Sequence, residues 1–171
     1  KATKKINDLN LESNAYNNLS GIYLKNNTID LAKDIIEKAI SIKTKTRDKR
    51  GLAFSIYGKG KILLIEKEYL EAEKYFLESI EIHLKMGDRI GVAMAYNKLA
   101  NLYYETKKID LAKKYILIGL EICNYYNISL IKIKLIYLSY LVYKNENDLE
   151  KTIENLELKK KKKEAVLNTQ N

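Results

Sequence analysis

Along the middle of the chain Tyr69, Ala72, Tyr75, Phe76, Ser79, Ile80 and His83 recur at i, i+3, i+4 and i+7, the spacing of one face of an α-helix. Ile56, Gly60, Leu63 and Leu64 follow the same rule just upstream. Short polar breaks interrupt the pattern at Asn26-Asn27-Thr28, Glu66-Lys67-Glu68, Thr106-Lys107-Lys108 and Glu146-Asn147-Asp148. The pattern predicts helices over 13–26, 29–45, 49–66, 69–86, 89–106, 109–126, 129–145 and 148–164, joined in antiparallel pairs by tight turns. Asp8, Asp48, Asp88 and Asp148 stand where an N-cap carboxylate accepts free backbone N–H groups and suits the helix dipole.

The helices repeat every 40 residues. Ala32, Ala72 and Ala112 share one context, and three further columns keep the step: Tyr23, Leu63, Tyr103 and Tyr143; Ile36, Phe76, Ile116 and Leu156; Ile42, Ile82 and Ile122. Ser20, Gly60 and Ala100 lie midway along the first helix of each pair and face the alanine column on the second. Small residues at both places allow the axes to approach to about 8–10 Å, as ridge-into-groove packing needs. No pair can bury both its faces alone, so stability is shared through neighbouring units. The expected fold is all-α, a solenoid of stacked helix pairs. Its units are 13–52, 53–92, 93–132 and a degenerate fourth at 133–164, with a tail at 165–171. Residues 1–12 read as the end of a preceding repeat or an N-terminal cap, because Lys1–Asp8 aligns with Glu81–Asp88. The chain also opens on lysine rather than methionine, so truncation of a longer protein is expected. In the fourth unit Tyr140 replaces the small residue, Thr152 the alanine, and Lys159 and Lys160 the late apolar columns. A polar last helix is what a solenoid cap requires.

Composition narrows the function. Proline and tryptophan are absent and glycine occurs 7 times in 171 residues, which excludes collagen-like and Pro-rich chains and disfavours a turn-rich β-sandwich. A single cysteine, Cys123, excludes an internal disulfide framework and a Cys-based zinc cage. His83 and Cys123 share a column in which the first repeat has Lys43; without acidic or thiol company they read as packing residues rather than metal ligands or redox groups. Gly58-Lys59-Gly60-Lys61 lacks the spacing and the following Ser/Thr of a P-loop. With no nucleophile–base pair visible, no enzymatic activity, cofactor or metal is expected. The net charge of +9 includes the five lysines of Lys159–Lys163, which leaves +4 for everything else. That run reads as a solvated helix end, and no specific nucleic-acid partner is expected. The most apolar stretch, 130–143, contains Lys132 and Lys134 and is shorter than the roughly 20 residues of a membrane span. The chain reads as soluble, with a cytoplasmic setting expected.

Segments such as Ala15-Tyr16-Asn17-Asn18-Leu19-Ser20-Gly21-Ile22-Tyr23 and Ala95-Tyr96-Asn97-Lys98-Leu99-Ala100-Asn101-Leu102-Tyr103 resemble the first helix of a tetratricopeptide repeat. The spacings Ala32 to Ala39 and Ala112 to Gly119 resemble its second helix. The 40-residue period is longer than the family norm and the usual proline at the repeat end is missing. Both features are similar to a longer-helix subclass found in bacterial sensor and regulatory proteins. The resemblance implies a right-handed superhelix whose concave face, lined by the first helices, binds a protein or peptide. Mapped onto this chain, that stripe contains Asn17, Phe54, Tyr57, Lys61, Met94, Asn97, Asn101, Tyr104, Tyr137 and Leu141. Asn97 and Asn101 stand one turn apart and can together hold a peptide backbone, while Phe54, Tyr57, Met94, Tyr137 and Leu141 would form apolar anchor pockets. Asn17 and Asn97 read equally well as solvated fillers. The resemblance points to a non-enzymatic binding module in a bacterial signalling protein. The alternative is a structural scaffold or homodimerisation module built on the apolar helix 130–143, which is apolar on nearly every face.

Overall fold

The computed structural model describes residues 2–144; the predicted eighth helix, with Asp148 and the lysine run, lies outside them. Seven α-helices follow one another: α1 (Ala2–Lys25), α2 (Ile29–Thr46), α3 (Lys49–Ile65), α4 (Tyr69–Lys85), α5 (Arg89–Glu105), α6 (Ile109–Tyr125) and α7 (Ser129–Lys144). Each sequential pair packs together. In addition α1 touches α3, α3 touches α5 and α5 touches α7, whereas α2, α4 and α6 do not touch one another. The odd-numbered helices therefore form a tight inner layer and the even-numbered helices splay outward, so the stack curves with the first helices on its concave side.

The turns share one construction. Asn27, Arg47, Lys67, Gly87, Lys107 and Asn127 all have positive φ, between 56° and 67°, and stand 20 residues apart. At every turn the next residue's N–H donates to the carbonyl five positions back, as in Thr28 to Tyr23, Asp88 to His83 and Ile128 to Cys123. This is the Schellman ending of a helix, which satisfies carbonyls that the last turn would leave free. Residue 28, or its counterpart 20, 40 or more positions on, then starts the following helix. Its carbonyl accepts the first helical bond, as from Ala32 to Thr28 and from Leu52 to Asp48. One residue thus closes one helix and opens the next.

Asp48 and Asp88 are N-caps as expected, their Oδ1 atoms accepting from Gly51 N at 2.9 Å and Gly91 N at 3.0 Å. Asp8 is not. It lies inside α1, which begins at Ala2 instead of residue 13. Asn7, which holds the register position of Arg47 and Gly87, is helical rather than left-handed, so the chain makes no reversal ahead of Asp8.

Between the helices of a pair the small-residue column is buried as its spacing required: Ser20, Ala100, Ala32, Ala72 and Ala112 are at most 2% exposed. Ser20 Oγ donates to Ala32 O at 3.2 Å. In the second pair a Cβ on Gly60 would lie 2.7 Å from Phe76 Cε1, so the glycine is the space that the phenyl ring occupies. Between pairs, Lys43 is fully buried at the junction of α2 and α3. Its Nζ donates to Asp48 Oδ2 at 2.6 Å and Asn14 Oδ1 at 2.7 Å. Burial raises the Asp48 carboxyl, but the Lys43 ammonium and the Gly51 N–H outweigh it and hold it below the usual carboxylate range. At the next junction His83 takes the lysine's place, with Nδ1 3.1 Å from Asp88 Oδ2 and its ring edge-on to Phe54 at 4.7 Å. At the third, Cys123 and Ile131 make the contact apolar. Gly51 and Gly91 leave room for the lysine stem and the imidazole, which a Cβ there would overlap; the smaller Cys123 admits Ile131 instead.

No helix among the described residues is long and apolar enough to cross a membrane, and no group of three or more His, Cys, Asp or Glu among them could hold a metal ion.

Candidate peptide-binding groove

Two hollows lie along the inner layer. The first, about 430 Å³, sits between α1 and α3 and reaches Met94 of α5; Asn17, Phe54, Tyr57 and Lys61 are in its wall. The second, about 400 Å³, sits between α5 and α7 and is walled by Asn97, Lys98, Asn101, Ile133, Lys134, Tyr137, Leu138 and Leu141. The structure thus brings nine of the ten residues expected on the concave stripe into two hollows on one face. Tyr104 is the exception. It lines neither hollow, packs half-buried against the core and lies under Lys107 at 5.6 Å.

Within the hollows the side chains are not equally available. Asn17 Oδ1 accepts from Ser55 Oγ at 2.8 Å, which leaves its NH₂ to face a ligand. Asn101 Nδ2 donates to Glu105 Oε1 at 2.6 Å, which leaves its carbonyl oxygen. Asn97 makes no side-chain hydrogen bond within the described residues, so both ends of its amide are open. The pair therefore offers one complete amide and one acceptor, fewer groups than two free amides would supply. Tyr57 is only 8% exposed and tilts against Phe76 at 6.0 Å. Burial pushes its hydroxyl well above the ordinary tyrosine value. It belongs to the floor of the first hollow more than to its rim. Tyr137, by contrast, is 62% exposed and stands up at the mouth of the second.

The cations of the groove are Lys61, whose Nζ lies 5.2 Å from the centre of the Tyr57 ring, together with Lys98 and Lys134. Burial and then the nearby Lys98, Lys134 and Lys25 push the Lys61 ammonium below its usual value. Burial and then Lys134 do the same to Lys98, with Glu105 opposing. Lys98 stands outside the in-register stripe, one residue beyond Asn97, yet lines the second hollow. His83 and Cys123 lie away from both hollows. Burial lowers the His83 imidazole against the pull of Asp88 and raises the Cys123 thiol, as suits packing residues rather than reactive ones.

Comparison with known proteins agrees with this architecture. A family model described as tetratricopeptide repeat matches residues 52–123, and a second with the same description matches residues 13–46. No curated protein matches the sequence significantly. Among solved structures, the crystal structure of BtubC (BKLC) from P. vanneervenii superposes with a TM-score of 0.70 at 22% identity. The match covers 92% of this chain and 65% of that one, so it speaks for the fold alone.

Proposed function

This chain belongs to the tetratricopeptide repeat family, and from that membership we propose a non-enzymatic module that holds a protein or peptide segment along the inner layer. The observation that carries this reading is the alignment of the two hollows between consecutive first helices, each combining apolar walls with amide groups. An extended segment lying across them would meet Phe54, Met94, Tyr137 and Leu141 as apolar anchors. Asn17, Asn97 and Asn101 would bond its backbone, since an amide both donates to a peptide carbonyl and accepts from a peptide N–H. The units in this reading are 13–52, 53–92, 93–132 and 133–164. The setting we propose is the regulatory or sensory part of a bacterial signalling protein in the cytoplasm. The test is capture from a lysate of the source cells with wild type and with an Asn97→Ala/Asn101→Ala variant of unchanged helicity. A partner held by wild type and lost by the variant is the expected result; a partner held equally by both refutes the groove.

A second reading, a self-association scaffold, draws on α7. Leu130, Ile133 and Tyr137 are 68%, 64% and 62% exposed among the described residues. Light scattering across a range of concentrations separates the two: a stable dimer that Ile133→Lys dissociates would put the scaffold first.

A further inference from the structure

The lysines of the groove follow a rule of their own. Lys25, Lys61, Lys98 and Lys134 are separated by 36, 37 and 36 residues, where the repeat is 40. Each successive lysine therefore stands three or four residues, about one turn or 5.4 Å, nearer the start of its helix than the one before. Steps of three and four residues keep a side chain on the same face of a helix. The four lysines thus form a single row that crosses the inner layer obliquely. Lys25 ends α1, while Lys134 lies near the start of α7. Lys61 borders the first hollow, and Lys98 and Lys134 border the second.

This row is not neutralised. Ion pairs such as Lys33 with Glu66, Lys43 with Asp48, Lys59 with Glu37 and Lys85 with Glu81 engage other lysines of the described residues; no lysine of the row is found in one. Helices α1, α3, α5 and α7 carry twelve lysines and arginines against three acidic residues, Asp8, Glu12 and Glu105. Helices α2, α4 and α6 carry eight against nine. The modest charge of the body is the sum of a strongly basic inner layer and a balanced outer one. Like charges brought together without ion-pair partners cost stability; Lys61 gains only the face of the Tyr57 ring, and Lys98 only the more distant pull of Glu105.

We propose that the groove takes an acidic peptide segment, an extended stretch whose Asp or Glu side chains meet the oblique lysine row while interspersed apolar residues enter the two hollows. The inference rests on the peptide-binding reading above and adds the partner's chemistry. Helices about 10 Å apart with a one-turn offset put successive lysines about 11 Å apart, so the row of three intervals is matched by about ten residues of extended chain with sparse carboxylates. A single nucleic-acid strand carries a phosphate on every nucleotide, at closer intervals than these lysines, and would leave charges unanswered on this row; its bases could stack on Tyr137 or Phe54, so an oligonucleotide is included in the test.

The test uses fluorescence anisotropy at low salt, with a labelled peptide of about ten residues in which Glu and Leu take turns at every second position with Ser between, so that both face the groove, and matched peptides carrying Gln or Lys in place of Glu. Wild type is expected to bind the Glu peptide at least about tenfold tighter than the Gln peptide, and to lose that margin toward 1 M salt. Lys61→Glu/Lys98→Glu should weaken the Glu peptide by about tenfold or more and reverse the preference in favour of the Lys peptide, which loss of structure could not do. Lys61→Gln/Lys98→Gln should fall between, and Lys74→Glu on α4 should change nothing. Equal binding of Glu and Gln peptides, both lost in Asn97→Ala/Asn101→Ala, would overturn the acidic partner and leave the groove reading intact. Binding of neither peptide would also overturn it, with lysate capture still deciding the groove. Tighter binding of an oligothymidine that displaces the Glu peptide would overturn it in favour of nucleic acid.

Discussion

Adding one methyl group at Gly60 should destabilise the protein, and shrinking the side chain opposite should reverse the effect. In an unconstrained helix, Gly→Ala is worth about 0.5–1 kcal/mol in favour of alanine. Here the new Cβ would lie 2.7, 2.9 and 3.3 Å from Cε1, Cδ1 and Cζ of Phe76. That ring is fully buried and is backed by Tyr57. Overpacking of a rigid ring costs about 1–3 kcal/mol, more than the propensity gain, so Gly60→Ala is expected to lose about 1 kcal/mol net. Phe76→Ile alone leaves a void beside the glycine and should lose about 1–2 kcal/mol. The double variant reproduces the pairing already present in the third unit, Ala100 against Ile116, and resembles Ser20 against Ile36 in the first. A coupling energy of about 2 kcal/mol in favour of the pair is expected, well above the few tenths seen for independent sites. Urea unfolding followed by far-UV circular dichroism measures all four corners of the cycle, with coincident tyrosine fluorescence as the check on two-state behaviour. A stabilised Gly60→Ala, or a coupling below about 0.5 kcal/mol, would show that the ring simply swings aside and would refute the complementarity.

Three further outcomes follow from the turns and junctions. Gly87→Ala should lose about 1–2 kcal/mol in urea unfolding purely from its φ of 67°, since nothing lies within 4 Å of the added Cβ; Gly87→Asn should lose much less. Lys43→Ala removes a buried donor to Asp48 and Asn14 and should cost about 3–5 kcal/mol by the same assay, whereas Lys45→Ala on the exposed side of α2 should cost almost nothing. His83 is held below the ordinary histidine value of 6.5 mainly by burial, so the unfolded chain takes up its proton more readily than the folded one. Its contribution is complete above pH 6.5 and is lost as pH falls from there toward the folded value. The thermal midpoint of wild type should therefore drop between pH 7 and pH 5 more steeply than that of His83→Cys, the residue found in the next repeat.

Much of this fold could be read from residue order because it is local and repeated. The apolar spacing identified the helix pairs, the Asn26-Asn27-Thr28 type of break located the turns, and Asp48 and Asp88 announced caps by standing just ahead of a helical face. Asp8 stands in the same sequence context, yet a cap needs a chain reversal just ahead of it, and Asn7 is helical where Arg47 and Gly87 are left-handed. The in-register stripe reached the groove, yet burial along it could not be ranked in advance. Tyr57 and Phe54 are three residues apart on one face, and only the packing of Phe76 decides that Tyr57 sinks to the floor. The Asn17–Ser55 and Asn101–Glu105 bonds depend on rotamers, which column alignment does not contain. The lysine row escaped for two reasons: comparison at a step of 40 does not register a feature stepping by 36 or 37, and a net charge sums over faces that the fold separates.

The lysine row and the repeat are two rulers of slightly different pitch laid side by side, and their mismatch works as a vernier. The row slips one turn per unit, and a first helix of 17 residues offers fewer than five turns. A row of this kind can therefore run through only about five consecutive units before it slides off a helix end, however many units an array contains. Lys25 already stands at the last residue of α1, so a unit stacked before it in the same register would have no helical place for the next lysine. The slip also makes the track directional: a segment laid along it meets the end of one helix first and the beginning of another last, so its two orientations are not equivalent.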